Sequence, residues 1–411
     1  MFLLYINDIS DNLTNGVRLF ADDTSLYVIV DRDIVQAANS LTNDLEKIKQ
    51  WSTKWAVDFN PQKTINLDIT RKHISHPKVN FGCNGPEVIN AESHTHLGLK
   101  FQSDGSWKLH ILDIHEKASS RLNILCMLKY TLDRQSLIKI YFSFIRPVLE
   151  YSDLVWDNCT EREANLLENV QVSAARIITG MRINSSRSAL YEELGWDTLS
   201  TRRTVHKLIL FYKIAHRIAP HYLQELLLPY FPSQNLRHLR NYDDLKFILP
   251  QGRTSSYMKS YLPSTIKLWN DLPIHIRELP TLASFKTAIK SMYYRKPNKL
   301  YNLGKRQLNV IHCQLRNNAS NLNFDLHCHF LRDNATCDMC GYHTENVFHF
   351  FFECVQFSDQ RLNLFESINA LQLQVPISLE LLLYGNNNLN FKDNSMIFKF
   401  VQNYIFQSKR F

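Results

Sequence analysis

Two adjacent carboxylates stand between two short apolar segments, and this arrangement points to metal chemistry. Asp22 and Asp23 fall between residues 17–20 and 25–30, which have the length of two strands joined by a tight hairpin. Like charges so close together repel, and apolar flanks exclude some of the water that would screen them. A divalent cation removes the conflict, because Mg²⁺ prefers carboxylate ligands and serves phosphoryl and nucleotidyl transfer. The alternative is a surface turn with two solvated acids.

A second candidate metal site lies near the C-terminus. Its four members follow the spacing C-x2-C-x8-H-x4-C: Cys337, Cys340, His349 and Cys354. Two thiolates on a tight turn, followed by a histidine and a third thiolate, suit tetrahedral Zn²⁺. Gly341 supplies the permissive backbone that such a turn needs, whereas His343 is a rival ligand close to the second cysteine. The alternative is a reduced cluster without metal.

Charge is distributed unevenly along the chain. Residues 1–60 contain nine acids and five bases, whereas residues 201–320 contain twenty Lys and Arg against five Asp and Glu. Cations interleaved with aromatic residues suit a polyanion, because the cations neutralise phosphates while the rings stack on bases. The alternative is the solvated surface of an ordinary basic protein.

Length and composition limit the class of protein. The 411 residues suffice for two to three domains, and 45% hydrophobic residues exclude a wholly disordered chain. We expect no membrane span and no signal peptide, because no apolar run is long enough and no basic segment precedes the first apolar residues. The eight cysteines favour a reducing compartment. We therefore expect an intracellular protein, in the cytoplasm or the nucleus.

The elements that would position these residues change character along the chain. Apolar residues recur every three or four positions from Ile34 to Trp55, which predicts an amphipathic helix capped by Asp31 or Asp33 and broken by Pro61. Short strands are expected over residues 65–69, 78–81 and 96–101.

From Trp107 onward the apolar period is helical. One stripe comprises Ile111, Ile114, Ala118, Leu122, Leu125 and Leu128. A second comprises Leu137, Tyr141, Phe144 and Val148, and Pro147 should kink its helix. A third helix is predicted over residues 161–179, with Gly180 as its C-cap. This change of period predicts an α+β fold with the strands first and mostly helices afterwards.

The segments around the paired aspartates resemble a known family. Residues 2–9 and Leu19-Phe20-Ala21-Asp22-Asp23-Thr24 resemble the end of motif B and motif C of reverse transcriptases, and more narrowly those of non-LTR (LINE-type) retrotransposons. Further segments follow in the family's order. They resemble motif D (60–64), the Leu-Gly turn of the primer grip (96–99), and the helical thumb and the region beyond it (145–151, 167–180 and 262–273).

The resemblance implies an RNA-directed DNA polymerase with an RNA template, a DNA primer or target, and Mg²⁺. It makes Asp22 the principal catalytic metal ligand and Asp23 the accessory one. Three residues would bind the substrate: Phe20, Ala21 and Lys63. Leu97 and Gly98 would form the primer grip. Members of this family often carry a zinc element near the C-terminus, and residues 348–354 resemble the second half of that element.

The resemblance also implies a division of the chain and a deficiency. The expected parts are a partial palm (1–105), a helical thumb (106–200), a basic helical connection (201–325) and a zinc-element region (326–411). The family's further catalytic aspartate, from motif A, has no counterpart in the 21 residues before Asp22. Two-metal chemistry then cannot be completed, which predicts a truncated polymerase that is inactive as this chain.

Two other functions compete with this interpretation. The chain could be a non-catalytic nucleic-acid-binding protein that uses the basic region and the zinc element. It could also be a helical scaffold without such a role, although the concentrated positive charge and the Cys/His spacing argue against it.

Overall fold

The structure is a computed structural model that describes residues 5–30, 33–60, 62–70, 77–83, 85–231 and 245–411. It separates into two units, Met1–His110 and Ile111–Phe411. Short strands alternate with one long helix in the first unit, whereas the second is helical. The α+β fold expected from the change of apolar period is therefore confirmed.

The first unit is built from these elements: β1 (Gly16–Phe20), β2 (Asp23–Tyr27), α1 (Ile34–Trp55), β3 (Ile65–Asn66), β4 (Ile89–Asn90), β5 (Ser93–His96) and β6 (Leu99–Gln102). A 3₁₀ turn, Asn7–Ser10, precedes them. Within the described residues β1 pairs with β2 and β5 with β6 as antiparallel hairpins, while β3 pairs with β4 in parallel.

Helix α1 has the bounds that its apolar period predicts. Asp33 is its N-cap, and its carboxylate accepts the backbone N–H groups of Val35 (2.9 Å) and Gln36 (3.1 Å). The alternative cap Asp31 and the predicted breaker Pro61 lie outside the described residues. The helix ends at Ala56, which adopts a left-handed backbone.

The strand predictions after α1 are only partly correct. The strand expected over residues 65–69 shortens to β3, and the one expected over 78–81 is reduced to a single bridge between Asn80 and Glu87. The strand expected over 96–101 is wrong, because Leu97 and Gly98 form a turn that separates β5 from β6. Both residues have positive φ, +47° and +76°, which a continuous strand cannot contain.

The second unit begins within a long helix and continues through the following elements. They are α2 (Lys108–Leu128), α3 (Arg134–Ile140), α4 (Arg146–Leu149), α5 (Asp153–Trp156), α6 (Glu161–Thr179), α7 (Arg187–Leu194), α8 (Leu199–Ala215), α9 (His221–Glu225), α10 (Ser255–Lys259), α11 (Tyr261–Asn270), α12 (Ile274–Arg277), α13 (Leu282–Tyr293), α14 (Arg306–Arg316), α15 (Asn323–Cys328), α16 (Ser358–Asn369), α17 (Leu379–Tyr384) and α18 (Phe391–Ser408). Short turns of 3₁₀ helix are Leu228–Tyr230, Lys299–Asn302 and Val355–Phe357, and π-helical turns are Tyr141–Ile145 and His349–Glu353.

Two of the three predicted helical stripes lie as expected. On α2 the side chains of Ile111, Ile114, Ala118 and Leu125 are buried. Helix α6 has the predicted bounds and ends at Gly180, whose φ of +71° explains the glycine there.

The second stripe is wrong beyond Tyr141. Ile145 and Leu149 are fully buried, whereas Phe144, which the helical period places on the core face, is 39% exposed. The cause is the π-helical turn Tyr141–Ile145, in which the Arg146 N–H reaches back to the carbonyl of Tyr141. This wider turn keeps residues four apart on one face, and it lies just before Pro147, which has no N–H to continue an α-helical ladder.

Within the described residues, two large cores lie among the helices that follow α7. One joins α8, α11 and α13 around Phe211, Trp269 and Phe285. The other joins α14 and α16–α18 with the cysteine segment. Among the described residues no helix combines the length and apolarity that crossing a membrane requires.

Candidate functional site

The paired aspartates lie at the end of the β1–β2 hairpin. Phe20 pairs with Asp23, so the turn consists of Ala21 and Asp22. All four side chains are exposed. Ala21 has a φ of +54°, a left-handed conformation that destabilises a non-glycine residue by about 1 kcal/mol. The predicted hairpin is confirmed, and both carboxylates at its end are exposed to solvent.

A buried carboxylate fixes the chain that leads into this hairpin. Asp44 of α1 is fully buried and accepts the backbone N–H groups of Thr14 (2.9 Å) and Asn15 (2.8 Å), and the ammonium of Lys47 (2.9 Å). Burial opposes its ionisation, but these donors stabilise the charged form more, so the pKa of Asp44 falls to about 2. No motif or residue spacing singles out Asp44. The available signal was its place between Leu41 and Ile48 on the apolar face of α1.

A third ligand beside the paired aspartates is missing from the described part of the chain. No group of three or more His, Cys, Asp or Glu side chains there includes Asp22 or Asp23. Two exposed carboxylates alone hold Mg²⁺ weakly, because the ion retains most of its water and needs further oxygen ligands.

The other predicted polymerase residues lie in the same unit. Lys63 is exposed in the turn before β3. Leu97 and Gly98 form the two-residue turn between β5 and β6. Beside that turn, the Nε2 atom of His96 lies 3.4 Å from the Ser25 hydroxyl of β2. The Leu97–Gly98 turn and the strand that follows the paired aspartates are therefore linked by a side-chain contact.

The four predicted zinc ligands come together near the C-terminus. One ligand atom from each of Cys337, Cys340, His349 and Cys354 lies within 4.8 Å of all the others. The Nε2 atom of His349 is 3.3 Å from the Cys340 sulfur. His343, the rival ligand, is exposed and does not belong to this group. The sequence spacing therefore identified the cluster correctly.

Local turns explain why these residues converge. The Gly341 N–H donates to the carbonyl of Cys337 (2.9 Å), and Gly341 has a φ of +75° that favours glycine. His349 opens the π-helical turn His349–Glu353, and Cys354 follows that turn directly. Burial raises the pKa of the Cys337 thiol to about 12 and also raises that of Cys354. Without metal these thiols are protonated, so metal binding would release protons.

Residues that the spacing did not predict surround the cluster. The Tyr342 ring stacks on His349 at 4.7 Å, and Glu353 Oε2 lies 3.4 Å from His349 Nδ1. Met339 and Phe348, which neighbour the ligands in the sequence, are 41% and 47% exposed. No spacing rule identifies Tyr342 as the ring that stacks on His349, because its place depends on the turn at Gly341.

A buried ion pair also supports the cluster. Glu345 lies 3.7 Å from the Cys337 sulfur and forms two 2.6 Å contacts with the guanidinium of Arg410. Cys337 and Cys354 themselves belong to the core built by α14 and α16–α18. The cluster is therefore part of a large core and is not a small unit of its own.

Comparison with known proteins finds similarity to polymerases of mobile elements. No protein-family model matches it. It is 24% identical over 167 residues, 40% of its length, to the RNA-directed DNA polymerase from mobile element jockey of Drosophila funebris. It is 23% identical over 226 residues, 53% of its length, to the probable RNA-directed DNA polymerase from transposon BS of Drosophila melanogaster.

A third relative agrees with these two. It is the probable RNA-directed DNA polymerase from transposon X-element of Drosophila melanogaster, 21% identical over 183 residues, 44% of the chain. The resemblance to mobile-element reverse transcriptases is therefore confirmed. The chain spans between 18% and 24% of the length of these curated relatives.

Proposed function

We propose that this chain is part of the RNA-directed DNA polymerase of a non-LTR retrotransposon and that the β1–β2 hairpin presents two of its metal ligands. The observation that carries the proposal is the exposed two-residue turn, which projects Asp22 and Asp23 from one hairpin end in a chain related to such polymerases. Asp22 is the principal ligand and Asp23 the accessory one. Bound Mg²⁺ would neutralise charge on the incoming triphosphate and activate the primer hydroxyl.

The proposal assigns the neighbouring residues to substrate and primer. Phe20 and Ala21 border the nucleotide site, and Lys63 supplies a cation for the triphosphate. Leu97 and Gly98 hold the primer end, and the contact between His96 and Ser25 supports their proximity to the hairpin. The partners are an RNA template and a DNA primer or target. In this proposal residues 1–105 act as a partial palm, 106–200 as a thumb and 201–325 as a basic connection.

Polymerisation would need a further carboxylate. Two-metal transfer requires ligands on both sides of the reacting phosphate, and no described side chain supplies the third one beside Asp22 and Asp23. We therefore expect that the 411-residue chain alone does not extend a primer on an RNA template. Robust Mg²⁺-dependent incorporation by the purified chain would contradict this expectation.

The catalytic assignment is tested in a complete polymerase. The chain is joined to the segment of the jockey polymerase that precedes the aligned region, and nucleotide incorporation is measured with Mg²⁺. Asp22→Ala should abolish incorporation, because a methyl group cannot coordinate metal. Asp11→Ala removes an equally exposed charge from the same unit and should leave the rate unchanged. Activity that survives Asp22→Ala would refute the proposed role.

We also propose that the Cys3His cluster of residues 326–411 holds a structural Zn²⁺. Three thiols and an imidazole form a donor set that zinc prefers, and four protein ligands leave no open position for substrate. The supporting observation is the mutual approach of all four ligand atoms within 4.8 Å. Metal analysis of the purified chain should find one zinc per molecule, and Cys354→Ser should lower that content.

A second candidate function is sequence-independent nucleic-acid binding without catalysis. The exposed cations of residues 201–320 favour it, since they are suited to phosphate contacts whether or not the hairpin is active. The two functions separate in one pair of assays. Binding by the chain, combined with no incorporation by the joined polymerase, would favour the non-catalytic function.

A further inference from the structure

The cations of the basic region divide into two groups that the sequence does not distinguish. Some are neutralised inside the protein. Arg202 and Arg203 pair with Glu150 and Asp157, and Arg316 pairs with Glu193 in the interior. These three acids lie outside residues 201–320, so the charge excess of that segment overstates the field it presents to solvent.

The second group is exposed and concentrated in a short segment, residues 290–305, which we call the basic strap. Its exposed cations are Lys290, Arg295, Lys296, Lys299 and Lys305. None of these five side chains forms an ion pair within the part of the chain that the structure describes. Residues 279–324 contain no Asp or Glu at all. The field of the strap is therefore not offset by acids of its own segment.

The backbone of the strap is held in place. The Arg295 N–H donates to the Asp197 carboxylate (3.1 Å). Pro297 packs so closely on Gly195 that a Cβ atom on residue 195 would lie 2.3 Å from the Pro297 Cα atom. A fixed backbone has no further backbone entropy to lose when its cations bind a partner.

Beside the strap lie an aromatic ring and two arginines, whose charges are offset by two acids. The Arg202 guanidinium lies 5.3 Å from the Tyr294 ring, and Arg146 lies near the same residues. Two acids face this surface: Glu150, which pairs with both Arg202 and Arg146, and Asp197, whose carboxylate accepts the Arg295 N–H. By contrast, residues 321–411 carry six bases and nine acids, so the zinc region does not suit a polyanion.

We propose that the basic strap is a binding site for the sugar-phosphate backbone of nucleic acid, which it contacts without reading sequence. This inference rests on the nucleic-acid binding in the proposed function and deepens it by naming the surface. Each phosphate contact releases condensed counterions, which makes affinity fall steeply with salt. The Tyr294 ring gives the site an aromatic residue beside its cations.

The test compares two charge-matched variants of the full chain. In the strap variant the five strap cations are replaced by Gln. In the control variant Gln replaces five other exposed cations of the same basic region: Arg217, Lys246, Arg253, Lys259 and Lys267. Binding of a fluorescent single-stranded RNA of mixed sequence is titrated from low to physiological salt. Circular dichroism and zinc content check that both variants are folded.

The strap variant should bind more than about tenfold more weakly, and its slope of log affinity against log salt should shrink by about 0.7 for each lost contact. The control should change by less than about threefold, because it alters net charge equally but removes no contact. Equal weakening of both variants would overturn the strap and leave nucleic-acid binding intact. Absence of salt-dependent binding by the unmodified chain would overturn both.

A second measurement needs no variant. Lysine acetylation of the unmodified chain, read by mass spectrometry with and without the RNA, should show protection of Lys290, Lys296 and Lys299. Lys246 and Lys259 should react equally in both conditions. Protection of Lys246 and Lys259 without protection of Lys290, Lys296 and Lys299 would also refute the strap.

Discussion

At the scale of single residues, the least conspicuous carboxylate of the first unit has the clearest structural role. Asp22 and Asp23 attract attention as a pair, yet both are solvated, whereas Asp44 is buried and saturated with donors. Its contacts hold Thr14 and Asn15, which lead directly into β1. The position of the β1–β2 hairpin, the proposed metal-binding hairpin of the polymerase, therefore depends on Asp44 of helix α1.

Asp44→Asn should lower the free energy of unfolding of the first unit by about 2 kcal/mol, the equivalent of its pKa shift. Because the folded-state pKa is depressed, this stabilisation is present above about pH 4 and is lost as pH falls toward about 2. Urea unfolding followed by hydrogen exchange of α1 and β1 amides measures both effects. Asp58→Asn, at an exposed position, should change neither. If Asp44→Asn had the same stability in acid and the same pH dependence as the unmodified chain, the stabilising role of ionised Asp44 would be wrong.

At the scale of elements, backbone conformation matters more than apolar pattern at two places. The π-helical turn Tyr141–Ile145 moves the buried face from Phe144 to Ile145. The turn between β5 and β6 requires positive φ at both residues, and Leu97 occupies a position that usually holds Asn or Gly. In the proposed polymerase this strained turn is the primer grip, which offers a reason for keeping a leucine there.

Leu97→Asn should stabilise the β5–β6 hairpin by about 1 kcal/mol, because Asn tolerates the left-handed conformation better than Leu. Hydrogen exchange of the β5 and β6 amides measures the gain. Thr95→Asn places the same residue at an exposed strand position and should be neutral or destabilising. In the joined polymerase, Leu97→Asn should also reduce primer extension despite the gain in stability. Faster exchange in Leu97→Asn would show that the turn is not strained.

At the scale of the whole molecule, the Cys3His cluster is part of the framework of the second unit. Cys337 and Cys354 share one core with Phe350, Leu382 and Val401, which come from separate elements. The cluster and its buried Glu345–Arg410 pair therefore connect the last residues of the chain to helices far away in sequence. A bound metal would stabilise this whole core.

Chelation of zinc should loosen α14 and α16–α18 together and leave α2 and α6 protected. The physical reason is that the thiols, once protonated and unliganded, remain in the core without the bonds that position them. Hydrogen exchange with and without chelator measures the extent. Lower pH should promote metal loss, since the raised thiol pKa values favour the protonated form. Loosening confined to residues 337–354 would contradict a shared core.

Residue types and spacing were sufficient for features that depend on nearby chain. They predicted the β1–β2 hairpin, the bounds of α1 and α6, the Gly180 cap and the four members of the Cys3His cluster. Each follows from local rules: an apolar period, a capping side chain, or ligand spacing across a tight turn. The family resemblance was likewise carried by short motifs, and the comparisons confirm it.

Tertiary structure alone decided the features that join distant residues. The buried face after Tyr141, the donors around Asp44 and the core that encloses the cysteines depend on which elements meet, and local pattern does not record that. The same holds for charge. The sequence counts Arg203 and Lys296 alike, but Asp157 neutralises the first while the second lies exposed. Electrostatic fields depend on distance in space, so the fold determines which cations remain available to a partner.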